Sequence, residues 1–150
     1  MTIHEGEQRR HEVELHSPPD DVDDVHALLG QVWAENPQVA PMERFRFETA
    51  LVELSGNVFE HADEGTGLRC TLTVTVCTDR LTAVVVDTGR PLDGDIHRTD
   101  MPDELAESGR GLPLIQALVD EFSYEREHGT NRWRLAHNLH APTVEPGVLV

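Results

Sequence analysis

The run Leu68-Arg69-Cys70-Thr71-Leu72-Thr73-Val74-Thr75-Val76-Cys77-Thr78-Asp79-Arg80-Leu81-Thr82-Ala83-Val84-Val85-Val86-Asp87 decides the architecture. Leu72, Val74 and Val76 alternate with Thr71, Thr73 and Thr75, so one face of this strand is apolar and the other polar. Asp79-Arg80 is a tight connection to a second strand, Leu81 to Asp87, in which Val84-Val85-Val86 is apolar on both faces, the pattern of a central strand. Cys70 and Cys77 fall in the first run; seven residues of extended chain set them roughly 23 Å apart on opposite faces, too far to bridge each other.

Upstream, residues 1–10 form a polar lead-in, and His11 to His16 alternates as a short edge strand. Ser17-Pro18-Pro19-Asp20 supplies capping and helix-start chemistry before Val22, Val25, Leu28, Leu29, Val32 and Trp33 at helical spacing, closed by Asn36-Pro37. A second helix spans about Pro41 to Ala62, with Phe47, Leu51, Leu54, Val58 and Ala62 as its apolar stripe. Glu64-Gly65-Thr66-Gly67 then turns into the strands. Downstream, residues 88–109 show no periodicity, and a loop of that length in a compact domain is usually functional or disordered. Leu112, Ile115, Val119 and Phe122 restore helical spacing. Ser123–Glu127 and Asn131–Leu135 flank His128-Gly129-Thr130 as a closing hairpin. The expected fold is an α/β (α+β) two-layer sandwich with a mixed, largely antiparallel sheet and helices on one face. The domain would occupy residues 11–136, with a C-terminal tail at 137–150.

The chain has 150 residues, suiting one domain that buries about 68–70% of its unfolded surface. Its formal charge is −16, so it lacks the positive footprint of a direct nucleic-acid binder. All 12 basic residues are arginine. The absence of lysine excludes a Walker loop, a Schiff-base lysine and the strand lysine of ordinary protein kinases. Any phosphate would be held by backbone amides, arginine and a metal ion. No leader and no long apolar run is present, and the expectation is a reduced, soluble, cytoplasmic protein with no membrane contact. The nine histidines make no zinc spacing; His137-x-x-His140 falls in the expected tail, and surface positions suit them better.

Three stretches carry chemistry. In Glu53-Leu54-Ser55-Gly56-Asn57-Val58-Phe59-Glu60-His61, the residues Glu53, Asn57 and His61 share one helix face on the shoulder of the core row. A carboxylate and an amide one turn apart can hold a metal and orient a nucleophile, and the same triplet also suits a solvated helix flank. In Val85-Val86-Asp87-Thr88-Gly89-Arg90-Pro91-Leu92-Asp93, a carboxylate ends a buried strand. Being acceptor-only it matches an exocyclic amine such as adenine N6, while an Asp-based turn explains it equally well. In Glu107-Ser108-Gly109-Arg110-Gly111-Leu112-Pro113, glycines open a helix whose free amides, dipole and Arg110 make an anion site, or else an ordinary glycine-softened start. Order and spacing of all three together are more specific than any one.

In that order they resemble the N, G1 and G2 boxes of the GHKL ATPases, the superfamily of gyrase and the histidine kinases: Glu53-x-x-x-Asn57-x-x-x-His61-Ala62, Asp87-x-Gly89-x-Pro91-Leu92-Asp93 and Ser108-Gly109-Arg110-Gly111-Leu112. Within it the chain is similar to the anti-sigma-factor serine kinases, as are Leu118-Val119-Asp120-Glu121-Phe122 and Gly129-Thr130. The resemblance implies a Bergerat-type ATP-binding fold. It makes Glu53 the general base for a serine hydroxyl, Asn57 the ligand of Mg²⁺, and Asp87 the reader of adenine. Gly89 would admit the base, and Gly109, Arg110, Gly111 and Leu112 would wrap the phosphates. Thr130 would join the adenine-side water network, and residues 92–109 would form the ATP lid. It also implies a homodimer that sequesters a sigma factor and phosphorylates an anti-anti-sigma (STAS-domain) protein. The alternative is a catalytically weak module on the same fold that acts by sequestration alone. Two departures bear on this choice: Pro91 replaces the second glycine of its box, as in the short anti-sigma kinases. Glu107 stands where sporulation-type members place an arginine.

Overall fold

The computed structural model describes residues 8–61, 65–92 and 111–139. Its elements run β1 (Arg9–Ser17), α1 (Val22–Glu35), α2 (Pro41–His61), β2 (Leu68–Val76), β3 (Arg80–Asp87), α3 (Gly111–Leu118), β4 (Glu121–Glu127) and β5 (Thr130–Asn138). The five strands form one sheet in the order β1-β2-β3-β5-β4. Every pairing among the described residues is antiparallel, where a mixed, largely antiparallel sheet was expected. β3 is central, as its valine triplet implies. Only Val85 of the three is fully buried; Val84 and Val86 lie half-exposed on the face away from the helices.

Alternation does most of the construction. Leu68, Cys70, Leu72, Val74 and Val76 of β2 are buried, and each intervening residue is more exposed. The register carries this face across the sheet: Leu72 opposes Val85, and Val85 opposes Trp133. Against it pack Phe47, Leu51 and Leu54 of α2, Leu29 of α1 and Ile115 of α3, all fully buried. Burying one such side chain contributes about 1.5–3 kcal/mol, which is why these stripes dock the helices on a single face.

Local chemistry differs from expectation at three places. The N-cap of α1 is Asp21, not the Ser17–Asp20 segment. Asp21 Oδ1 accepts from the Asp23 N–H at 2.9 Å, and Asp24 Oδ2 accepts from the Asp21 N–H at 2.9 Å, a reciprocal capping box. The acidic run is thereby used to start a helix. The third helix stops at Leu118, and Phe122, read as its continuation, faces Leu135 from β4. The Asp120 N–H bonds Ala136 O at 3.0 Å and draws the chain into the sheet. Finally, β5 continues to Asn138, and His137 is 6% exposed, not a surface histidine. The turn between β4 and β5 has two residues, His128 and Gly129, with φ of 51° and 79°. Positive φ at both positions is the hairpin geometry that follows the strand twist.

Candidate functional site

The site is framed by the ends of three elements. Glu43 Oε2 on the first turn of α2 lies 2.7 Å from His137 Nε2. Three residues on, Arg46 donates to Ala117 O at 2.9 Å and Leu118 O at 3.2 Å, capping the negative end of α3. The start of α2 and the finish of α3 thus share the His137 end of β5, and the two helices run away from it side by side. A rise of ~1.5 Å per residue carries Asn57 about 16 Å along α2 from Arg46. A rise of ~3.3 Å per residue carries Asn131 about 20 Å along β5 from His137. Asn131 pairs with Asp87. Asp87 thus lies at the end of β3 away from the Glu43–His137 contact, and Asn57 lies about three turns along α2 from Arg46.

Glu53 and Asn57 sit on the flank of α2 that Arg46 presents to α3, since residues four, seven and eleven apart recur on one side of a helix. Leu54, beside them, is fully buried, while Glu53 and Asn57 are half-buried. Asn57 Nδ2 is buried without a hydrogen-bond partner. A buried amide with unused capacity costs free energy unless a partner arrives. Because amide oxygen and nitrogen exchange by a half-turn, the same side chain suits either a donor or a metal-ligand role. Among the described residues no group of three or more His, Cys, Asp and Glu could hold a metal ion.

Asp87 is fully buried at the end of β3. Its Oδ1 accepts from the Gly89 N–H at 2.8 Å and Asn131 Nδ2 at 2.8 Å, and its Oδ2 accepts from Trp133 Nε1 at 2.9 Å. The Gly89 bond closes the Asp-based turn that was one of the two readings of the sequence. Three N–H donors hold the carboxylate as a pure acceptor, and Oδ2 keeps lone-pair capacity beyond its one internal bond. Gly89 is buried beside it. Cys70 opposes Asp87 across the ladder, and burial, then the Asp87 charge, push its thiol up to about 12. It is a packing group and not a nucleophile at neutral pH.

Thr130 opens β5. Its hydroxyl donates to Glu127 O at 2.9 Å within the β4–β5 hairpin, and the β5 side chains that meet Asp87 are Asn131 and Trp133. Asn131, Trp133, Tyr124 and Arg126 are the residues that sequence reading passed over. Alternation places 131 and 133 on the face of Leu135, yet their relation to Asp87 depends on the β3–β5 pairing. Leu112 is buried in the first turn of α3, and Gly111 begins that helix. Gly109, Arg110, Glu107 and all of the expected lid after Leu92 lie outside the described residues, as do Ala62 and the side chain of His61.

Two comparisons bear on this arrangement. A family model described as the histidine kinase-like ATPase domain matches residues 15–136, from β1 through most of β5. A search of curated proteins finds no match to the chain. Among the described residues no helix is long and apolar enough to cross a membrane.

Proposed function

The chain belongs to the histidine kinase-like ATPase family, an ATP-binding domain of the GHKL superfamily, and from that premise we propose that it is a protein-serine kinase acting as an anti-sigma factor. In this reading it sequesters a sigma factor and transfers the γ-phosphoryl group of ATP to a serine of an anti-anti-sigma (STAS-domain) antagonist. The observation that carries the nucleotide part is the pairing of two features. One is a fully buried acceptor-only carboxylate, Asp87, at a strand end; the other is an unpartnered buried amide, Asn57, on the α2 flank that Arg46 presents to α3. Pro91 in the strand box favours the serine-kinase branch over the histidine kinases.

Each residue then has a task its chemistry can perform. Asp87 accepts from the adenine amino group, and buried Gly89 lets the base lie against backbone. Asn57 would hold Mg²⁺, which when bound offsets the charge of the triphosphate. That is needed because residues 90–110 carry six acids against three arginines. Glu53 takes the proton of the serine hydroxyl as its oxygen bonds the γ-phosphorus and the bond to ADP breaks. Gly109, Arg110, Gly111 and Leu112 would surround the phosphates with amides and one guanidinium. The formal charge of −16 suits a basic partner such as a DNA-contacting sigma factor. A homodimer and a cytoplasmic setting belong to the same proposal.

The test is transfer of radiolabelled phosphate from ATP to a co-encoded STAS-domain protein, lost when its acceptor serine becomes alanine. Sigma-factor binding without any transfer would replace this reading by sequestration alone, the alternative that Glu107 favours. Asn57 is tested separately. Asn57→Ala is expected to weaken ATP binding by roughly tenfold or more in Mg²⁺, the scale of a lost hydrogen bond to a charged group, and little in excess chelator. An equal loss in both conditions, read by calorimetry, makes Asn57 a structural residue.

A further inference from the structure

We propose that Asn131 is the positioning residue of the nucleobase end of the site, fixing Asp87 and the turn that follows β3 as one rigid unit. The inference rests on the reading that Asp87 faces the base, and it concerns a residue in none of the three sequence boxes.

Asn131 is fully buried, and all its hydrogen-bonding capacity is directed. Nδ2 donates to Asp87 Oδ1 at 2.8 Å and Arg90 O at 2.8 Å, with Gly89 O at 3.3 Å. Oδ1 accepts from the Tyr124 hydroxyl at 2.6 Å and Arg126 Nη1 at 3.1 Å. The amide cannot be turned over, because its nitrogen would then face the Arg126 guanidinium, a donor only, and its oxygen three acceptors. Its neighbours extend the hold. Arg126 Nη1 also donates to Gly89 O at 2.7 Å, and the Tyr124 hydroxyl accepts from the Leu92 N–H at 3.0 Å. The ring of Tyr124 lies 4.4 Å from that of Trp133, whose Nε1 holds the other oxygen of Asp87. One side chain on β5 thus ties the carboxylate at 87, the carbonyls at 89 and 90 and, through Tyr124, the amide at 92.

A carboxylate that selects an amine must keep its free lone pair aimed, and Asp87 has two side-chain torsions to lose. Holding Oδ1 by two donors and Oδ2 by one leaves a single orientation. Asn131 supplies the bond that comes from neither the turn nor the packed indole. Its removal should therefore degrade discrimination of the base, not merely affinity. A residue that only maintains the fold would affect every nucleotide alike.

The experiment compares ATP with purine riboside triphosphate, which lacks the 6-amino group, in Mg²⁺ by calorimetry. The expected result is that the wild-type chain prefers ATP. Asn131→Ala should lose roughly tenfold in ATP affinity, the scale of one hydrogen bond to a charged group, and change little toward the amine-free nucleotide. Tyr124→Phe keeps the ring on Trp133 and removes only the hydroxyl, so it should narrow the preference in the same direction by less. Should the alanine variant fail to fold, Tyr124→Phe decides the matter by that narrowing or its absence. A wild-type preference that survives in the variants, or a loss equal for both nucleotides, overturns the role of Asn131 while leaving Asp87 as the reader. A wild-type chain that binds both nucleotides equally removes the reading of Asp87 and this role with it.

Discussion

Glu53→Gln is expected to lower phosphoryl transfer to the antagonist by about 10²–10⁴-fold, the usual worth of a general base, while ATP binding and sigma-factor binding persist. A serine hydroxyl attacks poorly unless its proton is accepted as the bond to phosphorus forms. Glu53 is the carboxylate one turn before Asn57 on the flank that faces α3, and it is half-buried where Leu54 beside it is fully buried. The glutamine has the same shape and lacks the basic charge, so the melting temperature should hardly move. Single-turnover transfer and nucleotide calorimetry on the same preparation separate the two effects. Full transfer in the variant would assign the base elsewhere; a parallel fall in ATP affinity would make Glu53 a binding group.

Asp87→Asn should damage both fold and site. The carboxylate offers oxygen to three N–H donors, from Gly89, Asn131 and Trp133. An amide has one oxygen, so in either orientation its NH₂ faces at least one of those donors in a fully buried position. Each stranded buried donor costs about 1–3 kcal/mol, and a domain of this size loses about 2–4 °C of Tm per kcal/mol. Adenine nucleotides should bind more weakly as well, and the preference for ATP over GTP should fall, because the acceptor has gained a donor. Thermal melting measures the first effect and competition calorimetry the second. A variant that melts with the wild type would mean that the three bonds are not made in solution. One that melts lower yet keeps its preference for ATP would leave Asp87 a structural residue.

What was legible in advance follows the range of the interactions. The threonine–aliphatic alternation of β2, the valine triplet of β3 and the stripe of Phe47, Leu51 and Leu54 specify strand, central strand and packed helix, because backbone periodicity alone decides which side chains share a face. The three boxes were equally readable, since each is a short contiguous run with a chemical signature. Phe122 was misread for the same reason: its spacing from Ile115 and Val119 fits a helix, and only the partner strand, through Ala136 and Leu135, could claim it for the sheet.

The remaining features are properties of contacts between distant parts of the chain. His137 looked like tail, and is buried because Glu43, 94 residues away, meets its ring. Asn131 and Trp133, in no motif, reach Asp87 from β5, while the Thr130 hydroxyl bonds Glu127 O within the hairpin. Sequence by itself determined the sheet, the helical layer and the three stretches proposed to read adenine, ligate a metal and accept a proton, because residue type and spacing are local quantities. Tertiary structure alone decided which groups surround the buried carboxylate. A hydrogen bond between residues 44 positions apart depends on antiparallel register, and register is fixed by the burial of a whole strand face and not by either residue of the pair.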